Sequence, residues 1–300
     1  MVAIIGATGN TGRIVAGTLL GRGEKVRVVG RDARRLAPLV QKGAEAFVAE
    51  ATDEAALAKA FAGARAVYLM IPPNLTSPDV RGYQERVSQA EARAVEKSGV
   101  EYAVMLSSIG GDKPDKTGPV VGLHVFEEKL NAIPRLNALY IRAGYFIENL
   151  LAQVGVIKNF GMVGGPLKPD LALPMIATRD IGAYAAEALL KLDFRGKSAR
   201  ELHGQRDLDY REATAVIGKA IGKPGLSYSQ LPAWQLKTAL TSMGMSANMA
   251  DSLLEMSDAL NSGYMRALEA RSAANTTPTS IEQFVTGTFV PAFAGKAAGA

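Results

Sequence analysis

A short apolar run, Val2–Ile5, breaks into GATGNTGR (Gly6 to Arg13), which places glycine at positions 6, 9 and 12 and continues as an apolar helical stretch, Ile14 to Leu20. This opening constrains the fold more than any other feature. The first glycine permits a tight turn, the second lets backbone approach an anion, and the third lets helix and strand pack closely. The helix N-terminus adds free N–H groups. In a strand-turn-helix setting the spacing of Gly6, Gly9 and Gly12 implies a dinucleotide pyrophosphate site.

Further along, the apolar runs Val26–Val29, Ala46–Val48, Ala66–Ile71, Tyr102–Leu106 and Leu136–Ile141 alternate with helix-period segments that end on glycine or proline. Parallel neighbours need a crossover connection, so this rhythm predicts an α/β fold, a Rossmann-type doubly wound parallel sheet. The rhythm changes after Gly144. Residues 150–178 read as irregular and rich in glycine and proline, Arg179–Leu192 as a helix, Glu201–Gly204 as a short strand, and the chain from Tyr210 as mostly helical up to a final segment, Ser280–Phe293. The expected division is a dinucleotide-binding domain over 1–150 that also receives about 176–204, and a smaller, mostly helical substrate domain from 151–175 and 205–295. A disordered tail is expected over 296–300.

The chain has 300 residues and no cysteine, which excludes disulfides, thiolate metal sites and a cysteine nucleophile. Its two histidines, His124 and His203, are too few for a histidine-rich metal site, so no metal is expected. The net charge of +5 is spread without a basic tract, which suits anionic small molecules and not nucleic acid. Neither a signal segment nor a membrane span is evident, and the cytoplasm is the default location.

An NAD site usually carries a carboxylate at the end of the second strand, for the ribose 2′-hydroxyl. Here the sequence is Gly30–Arg31–Asp32, with Arg13 directly after the third glycine. Arg13 and Arg31 can clamp a 2′-phosphate, which favours NADP over NAD. Asp32 has a rival reading on the ribose, but its place before Ala33–Val40 makes it a helix N-cap. Arg34 and Arg35 read equally as a solvated helix face or as cofactor contacts.

Taken together, GATGNTGR, the paired prolines in VYLMIPPN, the serines in VMLSSIGG, RAGYFIENL and TRDIGAYAAEALL resemble the NmrA-like atypical short-chain dehydrogenases. The stretch ALTSMGMSANMADSLLEMSDALNSG resembles that family's helical substrate region. The resemblance implies a Rossmann domain that binds NAD(P) and a small C-terminal substrate domain. Family members include NAD(P)H-dependent reductases of quinones, azo dyes and related aromatics, and also redox sensors that bind the dinucleotide without catalysis.

By this resemblance Thr8, Gly9, Asn10 and Thr11 fall on the pyrophosphate loop, and Ile71, Pro72 and Pro73 line the adenosine and ribose side of the cleft. The family's Gly-Asp-hydrophobic sequence after the third strand is replaced by Ala49–Glu50–Ala51, so Glu50 is the candidate for the adenine amino group and Asp53 reads as a helix cap. Ser107 is expected at the cofactor and Ser108 in catalysis. The helix that usually carries Tyr-x-x-x-Lys reads GLHVFEEKL: His124 stands roughly at the tyrosine, Glu128 four residues on, and Lys129 one later, about 100° further round. Direct hydride transfer to an electron-poor acceptor needs proximity and orientation more than a strong protein acid, and the final proton can come from His124 or water. His124 has an equal reading as a group that fixes the helix or the cofactor.

The Gly144–Tyr145–Phe146 turn is expected beside the nicotinamide, with Asn149 near; Phe146 reads equally as core. Trp234, Met243, Met245, Met249, Met256 and Met265 read mostly as interdomain core, or else as an adaptable pocket. Asp180 reads as a helix N-cap, and His203 has no evident partner. The expected function is NADPH-dependent reduction of a small electron-poor aromatic such as a quinone or azo compound. The alternative is a non-catalytic NADP sensor that docks on a protein partner; a homodimer is left open.

Overall fold

Val2–Ile5 (β1) is apolar throughout and buried at every position, as a central strand of a sheet covered on both faces must be. The structure, a computed structural model, describes residues 1–295, and the expected tail over 296–300 lies outside the described residues. Further strands form at Val26–Gly30 (β2), Glu45–Val48 (β3), Ala66–Leu69 (β4), Tyr102–Ser108 (β5), Asn137–Ala143 (β6), Tyr145–Phe146 (β7), Val163–Gly165 (β8), Leu173–Ile176 (β9), Lys197–Leu202 (β10), Asp207–Leu208 (β11) and Tyr228–Gln230 (β12). Seven of them make one parallel sheet in the order β10-β6-β5-β4-β1-β2-β3, with Val2 opposite Val26 on one side and Ala66 on the other. This is the Rossmann-type doubly wound sheet. Two small sheets, β11-β9-β7 and β12-β8, lie outside it.

The helices are Gly12–Gly21 (α1), Ala33–Val40 (α2), Glu54–Phe61 (α3), Val80–Ser98 (α4), Val120–Asn131 (α5), Gln153–Phe160 (α6), Thr178–Lys191 (α7), Tyr210–Ala220 (α8), Ala233–Ser242 (α9), Ala247–Asn261 (α10), Ile281–Phe284 (α11) and Val290–Phe293 (α12). One face of the sheet packs on α1 and α7 through Val15, Leu19, Ile181 and Leu189, and the other on α3 to α5 through Leu57, Phe61, Val95 and Phe126. A third buried cluster joins Ile147, Leu173, Tyr210, Leu260 and Phe284. Asp32 and Asp53 cap their helices, accepting from the amides of Arg34 (2.8 Å) and Ala56 (2.9 Å).

Three expectations need correction. The stretch read as irregular over 150–178 contains α6, β8 and β9, and α6 is closed by Gly161 in the left-handed conformation (φ 67). The strand expected at Glu201–Gly204 begins earlier, at Lys197, and joins the main sheet beside β6; its polar side chains suit an edge position and hide it from an apolar-run search. Asp180 is not an N-cap. That position is Ala177, and the buried Asp180 carboxylate accepts instead from Thr279 N–H (2.9 Å) and Oγ1 (2.7 Å), tying α7 to the C-terminal segment.

Glu91, on α4, is fully buried against the Met70 backbone. Burial pushes this carboxyl well above the usual carboxylate range. With the folded value above the unfolded one, its contribution is fully present below the ordinary carboxyl range and is lost as pH rises toward the folded value. Glu91→Gln is therefore expected to flatten the fall of stability as pH rises above the ordinary carboxyl range, by up to about 1.4 kcal/mol per pH unit. Calorimetric scans across that range check it; an unchanged slope would mean that Glu91 is already ionised in the fold.

Candidate functional site

The glycine loop leaves β1 at Gly6, whose positive φ (65°) suits glycine, and turns back through a Gly9 N–H to Gly6 C=O bond of 2.9 Å. A Cβ on Gly12 would lie 2.3 Å from the Gly6 carbonyl oxygen, so the start of α1 rests directly on the loop. Thr11 is turned inward: its Oγ1 accepts from the buried Tyr68 hydroxyl (3.0 Å) and leaves α1 with no side-chain cap. Among the described residues the amides of Asn10, Thr11 and Gly12 donate to no backbone oxygen. An uncapped helix start with free amides is built to receive an anion. Gly9 and Asn10 are exposed on the loop and Thr8 is half-buried.

Arg13 and Arg31 are both exposed, and neither makes an ion pair or a side-chain hydrogen bond among the described residues. Asp32 is already engaged, by the Arg34 amide and, at 3.5 Å, by its guanidinium. This leaves two free cations beside the loop. Glu50 is exposed at the end of β3. The free amides and the two cations suit an anionic group, whereas Glu50 does not.

A cavity of about 570 Å³ opens at the carboxyl ends of β4, β5 and β6, where ligands of doubly wound sheets bind. Ile71, Pro72 and Pro73 supply one wall, Ser107 and Ser108 the next, and Gly144, Tyr145 and Phe146 the third. Met249 and Met256 from α10, and Met265 after it, close the far side. Met70 lines the same cavity while its Sδ lies only 2.7 Å from where a Cβ on Gly6 would stand, so cavity and glycine loop meet at this side chain. The methionines therefore divide: Trp234 and Met243, on or just after α9, are 71% and 78% exposed, forming neither core nor pocket.

Below the serines lies a network with no counterpart in the sequence reading. Buried Glu127, one turn from His124 on α5, accepts from Ser107 Oγ (2.6 Å) and from Arg142 Nη2 (2.6 Å) and Nε (3.1 Å). The sequence signal is Arg142 itself, a cation inside the otherwise apolar strand NALYIRA that demands a carboxylate. Ser107 is thus held from beneath, whereas the half-buried Ser108 donates to the Ile109 carbonyl (3.0 Å). Lys129 is committed to α4, through Glu85 (2.7 Å) and Gln89 (2.8 Å).

His124 Nδ1 donates to the Gly111 carbonyl (2.9 Å), and the imidazole is not among the groups lining the cavity. This favours its role as a clamp on the loop after β5. The Tyr145 hydroxyl is paired with that of Tyr210 (2.9 Å), and burial raises both above the usual phenol range, so neither is suited to give up a proton. The Tyr83 hydroxyl donates to the Pro72 carbonyl (3.0 Å) and fixes the proline turn.

The sequence model of the NmrA-like family matches residues 1–285. The chain belongs to the NmrA-like family. A reductase of (4-alkanoyl-5-oxo-2,5-dihydrofuran-3-yl)methyl phosphate from Streptomyces griseus is 31% identical over 240 residues, covering 80% of each chain. An NAD(P)H azoreductase from Xenophilus azovorans is 27% identical over 258 residues, covering 85% of this chain and 86% of its own. The crystal structure of an NADPH-dependent quinone oxidoreductase from Escherichia coli, complexed with NADPH, superposes with a TM-score of 0.76 at 21% identity, over 96% of this chain and all of that one. That likeness carries the fold. In this NmrA-like chain two signature stretches act as latches: Glu148 of RAGYFIENL accepts from Thr178 N–H (3.0 Å) and Oγ1 (2.6 Å), and Gly182 of TRDIGAYAAEALL lets α7 approach Ile14 on α1. No helix among the described residues is long and apolar enough to cross a membrane.

Proposed function

We propose that this chain is an NADPH-preferring reductase that passes hydride to a small, planar, electron-poor acceptor of the quinone or azo class. The observation that carries the reading is the apolar cavity, which meets the glycine loop at Met70 and whose volume suits one nicotinamide ring and one small acceptor. When bound, NADPH supplies the hydride. The free amides of Asn10, Thr11 and Gly12 hold its pyrophosphate, and Arg13 with Arg31 selects the 2′-phosphate by charge-assisted hydrogen bonds. Ile71, Pro72 and Pro73 border the ribose, and Glu50 accepts from the adenine amino group. Ser107, fixed by Glu127, and the Tyr145–Phe146 turn orient the nicotinamide, while Ser108 meets the acceptor. The relatives' names as reductases, one of an azo class, support this reading.

Titration calorimetry with NADPH and NADH tests the cofactor half. Arg31→Ala is expected to weaken NADPH by about 1.5–3 kcal/mol, the worth of a charged hydrogen bond, and to leave NADH nearly unchanged. Equal losses for both would remove the clamp. NADPH oxidation with a panel of quinones and azo dyes on the same sample tests the acceptor half. Tight NADPH binding with no turnover on any acceptor would instead support the sensor, which the missing Tyr-x-x-x-Lys pair on α5 favours.

A further inference from the structure

His203 follows the last residue of β10, at the carboxyl edge of the sheet that also carries the ends of β4 to β6. The Gly144 amide donates to the Leu202 carbonyl (2.9 Å), so His203 stands beside the Gly144–Tyr145 turn. Its side chain is only 3% exposed, yet it lines the cavity. Nε2 is occluded, has no hydrogen-bond partner, and lies 3.5 Å from Glu201 Oε2. Nδ1 makes no hydrogen bond among the described residues and is the ring nitrogen left to meet a ligand. Residues 201 and 203 project from the same face of an extended strand, which is the pattern in the sequence that pairs them.

Glu201 is itself fixed. Its buried carboxylate accepts from the amides of Leu268 (2.8 Å) and Glu269 (2.8 Å). His203 is fixed as well, its amide donating to Asn275 (2.7 Å) and its carbonyl accepting from Thr277 N–H (3.0 Å). Of the other charges here, Glu269 is paired with Arg200 (3.1 Å) and Asp207 with Arg271; Arg142, opposite Glu201 on β6, is paired with Glu127, and Arg266 has no ion pair among the described residues. With Glu201 beside Nε2, Nδ1 is the nitrogen open to a ligand, and an imidazolium there presents an N–H acid.

We infer that His203, held beside Glu201, is the proton donor to the reduced acceptor. The inference rests on the reductase reading above. Hydride adds to one end of the acceptor's conjugated system, and the electron pair moves to the heteroatom at the other end. That atom bonds the Nδ1 proton as the N–H bond breaks, leaving neutral imidazole, which solvent reprotonates. His124 holds the loop and takes no part in this step.

A cationic triarylmethane dye needs hydride alone and becomes neutral without a proton; a quinone needs both. His203→Asn is therefore expected to lower the ratio of quinone to dye turnover by about 100-fold or more, the usual worth of a general acid. In the native protein, quinone turnover should fall as pH rises through the His203 titration, read independently from imidazole NMR, while dye turnover does not follow it. Only two histidines need assignment. Equal losses for quinone and dye, or a native quinone profile that ignores the His203 midpoint, would overturn the assignment. Absence of turnover with both acceptors, with NADPH binding kept, would instead overturn the reductase reading. The native profiles and the NMR titration decide the matter even if His203→Asn fails to fold.

Discussion

Glu127→Ala is expected to lower stability by about 3–5 kcal/mol, because it strands a cation without its partner in the interior. Arg142 is 18% exposed at its side chain and Glu127 only 4%, so water reaches the stranded guanidinium poorly. The Ser107 hydroxyl loses its acceptor in the same step. Urea midpoints with a common slope measure the loss. The double variant Glu127→Ala, Arg142→Met should recover much of it, since a buried pair replaced by apolar groups is often neutral. A single-variant loss below about 1 kcal/mol would place the pair with surface bridges, and the floor under Ser107 would then not be rigid.

Gly12→Val is expected to abolish NADPH binding and to lower Tm sharply. The atom a new Cβ would strike, at 2.3 Å, is the Gly6 backbone oxygen, which no rotamer change can remove. Either α1 lifts from the loop or the turn opens, and each separates the amides that would hold the pyrophosphate. Gly17 on the same helix is the control, because a Cβ there meets nothing within 4 Å. Gly17→Ala should stabilise the protein by about 0.5–1 kcal/mol through helix propensity while binding is kept. Calorimetry on the two variants checks both; native affinity in Gly12→Val would remove the steric account of the glycine spacing.

The first two strands and helices were legible because local rules agree there: an apolar run, glycines at forced positions, and Asp32 at a helix start all point the same way. The main sheet up to β6 was legible for the same reason. β10 was not, since an edge strand with Lys197, Arg200 and Glu201 carries no apolar run. In the site, the sequence located the glycine loop and the strand ends that wall the cavity. It could not pair Ser107 with Glu127, or Asp180 with Thr279, because those partners are 20 and 99 residues apart and meet only through the sheet or the C-terminal wrap. Helical register alone put Glu128 and Lys129 where a relay was sought; Glu128 is exposed, and Lys129 is turned to α4.

The position of β10 bears on how the chain reaches this fold. The strand that closes one side of the sheet, and α7 that covers its face against α1, are made only after residue 177, although their partners β6 and α1 emerge much earlier. During synthesis β6 is therefore an open edge, and the apolar stripe of α1 with Val15 and Leu19 lacks its cover. Open edges of this kind pair with other chains. The late segment covers what the early one leaves open, so aggregation of the nascent chain is expected to peak in the interval between them.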